Sequence, residues 1–183
     1  MLDQESQSKV RIDPHEFYGR FRELQKYLGW TDADAQRVRS LADIVEPHLP
    51  MLIDDFYAQI QKHPNAQKVI TGGKEQVDRL KGTLAIWVME LFGSAYDHQY
   101  VQRRWQVGRK HAEIGLDQFY TNAALGRMRK GLIDVVARDW PGTPAELATS
   151  LSSLNMALDI DLTIIQDSYI DEHRDIRRPA RPR

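Results

Sequence analysis

Apolar residues in this chain recur at spacings of three and four along nearly its whole length. No run rich in Val, Ile and Thr alternates strictly with polar residues. A period near 3.6 gathers residues on one face of a helix, whereas a half-buried strand needs a period of two. This pattern predicts an all-α chain. Its 183 residues fill one good core and barely divide into two, so a single domain is expected.

Helix boundaries follow from the punctuation. After a polar leader over 1–13, "PHEFYGRFRELQKYLGW" sets Phe17, Phe21, Leu24 and Leu28 on one face. Thr31 followed by Asp34 reads as a capping box opening a second helix, which Pro47 and Pro50 close. The helix "MLIDDFYAQIQKH" ends before Pro64, and its adjacent carboxylates Asp54 and Asp55 point to different sides as a solvated edge. The turn "PNAQKVITGG" leads to "KEQVDRLKGTLAIWVMELFGS", striped by Val77, Leu80, Leu84, Trp87 and Leu91. Two further helices, "DHQYVQRRWQVGRKHAEIG" and "DQFYTNAALGRMRKGLIDVVARDW", precede a last long one, where Thr143, Pro144 and Glu146 stand in capping-box order. Seven or eight helices are expected in a domain over 14–176, followed by a basic tail or linker stub over 177–183.

The last helix carries two apolar faces. Leu151, Leu154, Leu158, Leu162, Ile165 and Tyr169 form one seam, and Met156, Ile160 and Ile164 lie off it. Two faces suggest two partners: the chain's own core and the same helix of a second subunit. Asp159, Asp161 and Asp167 argue against complete burial in a monomer, which favours a homodimer through the last two helices.

Composition removes several function classes. With no cysteine, disulfides, thiolate metal sites and cysteine nucleophiles are excluded, and metal ligation falls to His, Asp, Glu or Tyr. A formal net charge of -1 gives no phosphate-neutralising face, so no nucleic-acid partner is expected. The basic run "RDIRRPARPR" reads as a solvated tail. Neither a signal-peptide core nor a membrane-length apolar run appears, so no membrane partner and a cytoplasmic location are expected.

Motifs for catalysis are also missing. No two histidines stand four apart around a glutamate, no phosphate loop surrounds "GGKE", and no serine elbow occurs. Among the six histidines, His111 differs. Val107 lies one turn before it and Ile114 nearly one turn after, which puts the imidazole on an inward stripe. An inward imidazole needs a partner, and a backbone carbonyl or tyrosine hydroxyl is the simplest. The alternative is a wide apolar slot, with Tyr57 beside Phe56 on one helix and Leu80, Thr83 and Trp87 along another. An imidazole lone pair, apolar walls and an opposing hydroxyl are what haem requires.

The run "VGRKHAEIGL", the "DDFY" on an earlier helix and "VDRLKGTL" between them resemble the sensor globin domain of globin-coupled sensors and the related protoglobins. The resemblance covers roughly 31–170, and a helix ahead of the first regular globin helix, here 14–30, is also a family habit. It implies a globin fold with an extra N-terminal helix and a long C-terminal helix, and haem b (iron protoporphyrin IX) as cofactor. It implies His111 as proximal iron ligand and Tyr57 as distal hydroxyl. Leu80 and Thr83 become distal-wall residues, with Tyr57 and Thr83 nearest the gas. Trp87, Val107 and Ile114 line the cofactor, and Tyr120 lies on the proximal side. The family commonly has a proline-containing turn after Gly-Leu, whereas "IGLDQFY" is shorter and proline-free, which leaves the role of Tyr120 open.

The activity implied is reversible O2 binding, with CO and NO at the same site. The ligation state would pass through a dimer to an output module such as a kinase, a cyclase or a chemotaxis region. The domain itself is then not an enzyme. A haem-free interaction module has no need for His111 and Tyr57 together. A haem enzyme acting on NO or peroxide lacks a distal acid where Leu80 stands.

Overall fold

The computed structural model describes the backbone of residues 14–176 and the side chains of 17–169. The expected leader and basic tail, with His15 and His173, lie outside the described side chains. The described chain is all α: α1 (Pro14–Leu28), α2 (Asp32–Ser40), α3 (Ala42–Val45), α4 (Leu49–Lys62), α5 (Pro64–Gln67), α6 (Gly73–Gly93), α7 (His98–Glu113), α8 (Gln118–Asp139) and α9 (Pro144–Ile176). A 3-10 turn, Glu46–His48, joins α3 to α4.

The count exceeds the expected seven or eight because the second segment breaks at Leu41 into α2 and α3 and Pro64 opens the short α5. Pro50 sits in the first turn of α4 and Pro64 in that of α5. A first-turn N–H has no intrahelical acceptor, so proline costs nothing there. Both capping boxes form. Thr31 donates its backbone N–H to Asp34 at 2.9 Å while Asp34 returns its own to Thr31 Oγ1. Thr143 and Glu146 make the same exchange at 2.7 and 3.3 Å.

Helix α9 is the spine, packed on α7, α2, α8 and α1, while α4 packs on α6 and α8. The main core takes Val38 and Leu41 from α2 and its end, Ile53 and Tyr57 from α4, Trp87 and Leu91 from α6, Leu132 from α8, and Leu154 and Leu158 from α9. A smaller core gathers Phe17, Phe21, Tyr100 and Val101 around Ile160 and Ile164. Each fully buried Leu or Phe contributes about 2 kcal/mol, against under about 1 for an exposed ion pair. The two cores, not the many surface pairs, therefore carry the stability.

The α9 expectation needs correcting at this point. Ile160 and Ile164 of its second face are buried by the same chain, against α1 and α7, while Met156 is half-buried. Asp161, expected to interrupt burial, is 0% exposed. Asp159 and Asp167 do reach the surface side, paired with Arg129 and Arg20. The carboxylates of α4 diverge as expected: Asp54 accepts from Lys81 of α6 at 2.7 Å and Asp55 from Arg127 of α8 at 2.6 Å.

Candidate functional site: an imidazole and a phenol on one core

Helix α7 begins at Asp97, whose carboxylate accepts the Tyr100 N–H at 2.9 Å. It ends just beyond His111. Gly115 adopts φ +71, a left-handed conformation that a side chain strains. Its N–H reaches the Ala112 carbonyl at 3.0 Å and the Leu116 N–H reaches the His111 carbonyl at 3.0 Å. These two bonds together are a Schellman cap. The backbone of His111 thus closes the helix and its ring lies in the last turn.

The ring is half-buried, yet its Nδ1 is sealed from water with no hydrogen-bond partner among the described residues. Burial lowers its pKa below the ordinary 6.5, because taking the cation out of water is costly. At neutral pH the imidazole is neutral and keeps a lone pair to donate. Among the described residues no three His, Cys, Asp or Glu side chains gather into a metal site of their own. An ion meeting His111 needs a carrier that brings its other ligands, as a macrocycle does.

Tyr57 of α4 is 7% exposed and belongs to the main core. Burial pushes its phenol up to about 12, so it stays protonated and able to donate. Phe56 holds its ring edge-on at 5.3 Å. On α6, Trp87 is buried in the same core with Nε1 unpartnered, and Leu80 packs there half-buried, as does Val107 of α7. The structure therefore brings Tyr57, Leu80, Trp87 and Val107 into one apolar body, with His111 one turn beyond Val107.

Two expected residues, Thr83 and Ile114, are placed differently. Thr83 is exposed and donates its hydroxyl to the Arg79 carbonyl of its own helix at 3.2 Å. Ile114 is 42% exposed rather than inward. Tyr120 is half-buried, with its ring against Phe119 at 5.3 Å, and Phe119 is itself 70% exposed.

The sequence reading missed the charged cluster beside the site. Arg104, 1% exposed, donates to Asp161 of α9 at 2.8 Å, to Glu90 of α6 at 2.7 Å and to the Trp87 carbonyl at 2.8 Å. Tyr100 donates its hydroxyl to Asp161. Arg103 brings Nε within 2.7 Å of Glu90 without the alignment to donate. Burial pushes the Asp161 carboxyl up and the Arg104 guanidinium draws it back. The available signal was one charge on each of two inward stripes: Arg104 between Val101 and Val107, and Asp161 between Leu158 and Ile165. Opposite signs on facing stripes indicate pairing.

The model of the Protoglobin family matches residues 17–175. The chain belongs to the protoglobin family. This protoglobin is 27% identical over 162 residues to the heme-based aerotactic transducer HemAT of Halobacterium salinarum, which covers 82% of this chain and 33% of that protein. The chain thus spans about a third of that curated relative's length. The globin domain of a Geobacter sulfurreducens globin-coupled sensor superposes with TM-score 0.73 at 27% identity, over 81% of this chain and 96% of the other. The ferric form of the globin domain of E. coli DosC gives 0.68 at 20% identity, over 81% and 99%, which shows the shared fold. The helices of this protoglobin are therefore a globin fold, preceded by α1 and ended by the long α9. Among the described residues no helix is long and apolar enough to cross a membrane.

Proposed function

We propose that this chain is a haem-binding globin sensor domain that reversibly binds O2, with CO and NO as further ligands, and passes its ligation state to an output module. The observation that carries this reading is a neutral imidazole, His111, sealed at Nδ1 without a partner, beside a core that also buries the protonated Tyr57. Most buried side-chain nitrogens are satisfied within a fold, so an unpartnered imidazole nitrogen beside an apolar core favours a ligand. The relatives support it, one a heme-based transducer and one the globin domain of a globin-coupled sensor.

In this reading the cofactor is haem b. When bound, it supplies iron with an open position for a diatomic gas. His111 is the proximal ligand, since neutral imidazole is the ligating form. Tyr57, kept protonated by burial, would offer its hydroxyl as a donor to the gas. Leu80, Trp87 and Val107 keep water out, and a dry site strengthens the Tyr57 hydrogen bond. Thr83 contacts the gas only by turning its hydroxyl away from Arg79. Ile114 and Tyr120 cover the proximal side of the cofactor, which gives the exposed apolar surface of Ile114 and Phe119 something to lie against.

Displacement of His111 moves α7, and α7 packs on α9. A homodimer through α8 and α9 carries that displacement to a kinase, cyclase or chemotaxis output region in a cytoplasmic protein. Sedimentation as a monomer at micromolar concentration would remove the dimer from this route. The decisive measurement is a visible spectrum of the chain expressed with haem supply. A Soret band that is lost or shifted in His111→Ala is expected. No band in the parent chain, or one unchanged in His111→Ala, overturns the cofactor or the ligand assignment.

A further inference from the structure

The buried charge of this helical domain is concentrated where the proposed haem cleft meets α9. From α7, Arg104 donates Nε to Asp161 on α9, Nη1 to Glu90 on α6 and Nη2 to the backbone carbonyl of Trp87, also on α6. Its guanidinium lies 5.1 Å from the Trp87 ring centre and 4.4 Å from that of Tyr100, so aromatic rings hold it as well as its hydrogen-bond partners. Helices α6 and α7 are not packed along one another. Here, at one level, they are joined.

Stability alone does not account for such a cluster. A buried ion pair replaced as a unit by apolar residues of similar volume generally loses nothing. What a planar guanidinium adds is geometry. Its fork satisfies three acceptors on three backbones at one mutual spacing, and an ammonium on a flexible stem does not reproduce that. Seven residues, two helical turns, separate Arg104 from His111, so the two share a face of α7.

A second contact lies between them. A Cβ at Gly108 would stand 2.0 Å from Ser168 Oγ and 2.3 Å from the Ile165 carbonyl oxygen of α9. Only the Ser168 hydroxyl, folded back to donate to the Ile165 carbonyl at 2.6 Å, lies against the α7 backbone there. Helix α7 is thus pinned twice in the turns before His111, once by steric seating on α9 and once by charge.

We propose that Arg104, clamped to Asp161, Glu90 and the Trp87 carbonyl, is a positioning residue that sets the α6–α7 separation across which His111 works and passes displacement of α7 to α9. This rests on His111 being the iron ligand. Glu90 and Asp161 are the anchors on the two neighbouring helices, and Tyr100 fixes the Asp161 carboxylate.

The test uses the full chain loaded with haem, with CO and O2 as probes, and two variants. Arg104→Lys keeps the buried charge balanced but loses the fork. The combined Arg104→Met/Asp161→Leu/Tyr100→Phe removes the buried charges and the hydroxyl together and preserves packing if Arg104→Lys does not fold. Three readouts are compared with the parent: the iron–imidazole stretching band of the ferrous protein, the O2 dissociation rate, and the CO-dependent change in hydrogen exchange of α9 amides. The expected result is a retained Soret band with a displaced stretching band, at least a threefold change in O2 dissociation, and loss of most of the CO response in α9. A folded, haem-loaded variant with the parent's band, a rate within threefold and the full α9 response overturns the positioning role. Absence of a Soret band in the parent chain overturns the haem reading instead, so the two failures are distinct.

Discussion

Helix α7 faces two neighbours on opposite terms. Toward α9 its charge is matched: Arg104 is paired with Asp161 and Glu90 and Gly108 lets the backbones close in, with Trp105 Nε1 left as a buried atom without an acceptor in the smaller core. Toward the core of α4 and α6, by contrast, His111 Nδ1 and Trp87 Nε1 are buried without acceptors, and Ile114 is 42% exposed. An unsatisfied buried polar atom costs about 1–3 kcal/mol, and a chain shaped only by folding would remove it. The side that is finished within the chain is structural. The other side is where the proposed cofactor would complete the contacts.

The sharpest way to break this contrast is to delete one residue from each side of the haem-free protein. Arg104→Ala abandons Asp161 as an unpaired buried charge and is expected to lower the unfolding free energy by about 3–5 kcal/mol. His111→Leu removes a nitrogen that has no partner and is expected to leave stability unchanged or slightly raised. Urea unfolding of the two variants measures both. Equal losses would mean that the His111 side is as much a part of the folding core as the Arg104 side.

A smaller effect sharpens the unfinished side. Tyr57→Phe removes a hydroxyl for which burial alone sets the pKa. It is expected to speed O2 dissociation about tenfold, the worth of one hydrogen bond of ~1.4 kcal/mol, with apoprotein stability nearly unchanged. Stopped-flow dissociation checks this, and an unchanged rate assigns Tyr57 to packing.

The smallest effect belongs to the finished side, at the other contact of α9. Burial pulls the Asp34 carboxyl up, but hydrogen bonds from Thr31 and from Ser153 of α9, with the Arg37 guanidinium, more than reverse it, so the pKa lies below the usual 3.8. On acidification the unfolded chain takes the proton first. The stability this carboxylate gives is therefore present above pH 3.8 and is lost as the pH falls through the folded-state value. The difference in urea midpoint between the parent and Asp34→Asn should be largest near neutral pH and shrink toward pH 3. A difference that is constant with pH would show that Asp34 contributes only its shape.

The helices and their caps were readable because their causes are local. Thr31 with Asp34, Thr143 with Glu146 and the stripe from Val77 to Leu91 need only neighbours in sequence. His111 and Tyr57 stood out because polar groups on apolar stripes are rare. What escaped were pairings that depend on which stripes meet. Asp161 looks like a break in an apolar face until Arg104 is seen opposite it. Ile160 and Ile164 seemed to call for a second subunit because nothing local reveals that α1 and α7 cover them. Ile114, placed inward by spacing, lies past the last regular turn of α7, where Gly115 redirects the chain and helical periodicity no longer holds.

The diverging carboxylates of α4 set how the cleft responds to its medium. Asp54 and Asp55 tie the helix that carries Tyr57 sideways to Lys81 of α6 and Arg127 of α8, both across solvent. Such bonds fade as ions screen them, over a Debye length of about 8 Å at physiological ionic strength and about 3 Å in molar salt. The Arg104 cluster, shut away from solvent, is screened far less. Added salt therefore loosens the helix that carries Tyr57 while leaving that of His111 seated, so the two sides of the proposed haem site answer to ionic strength separately.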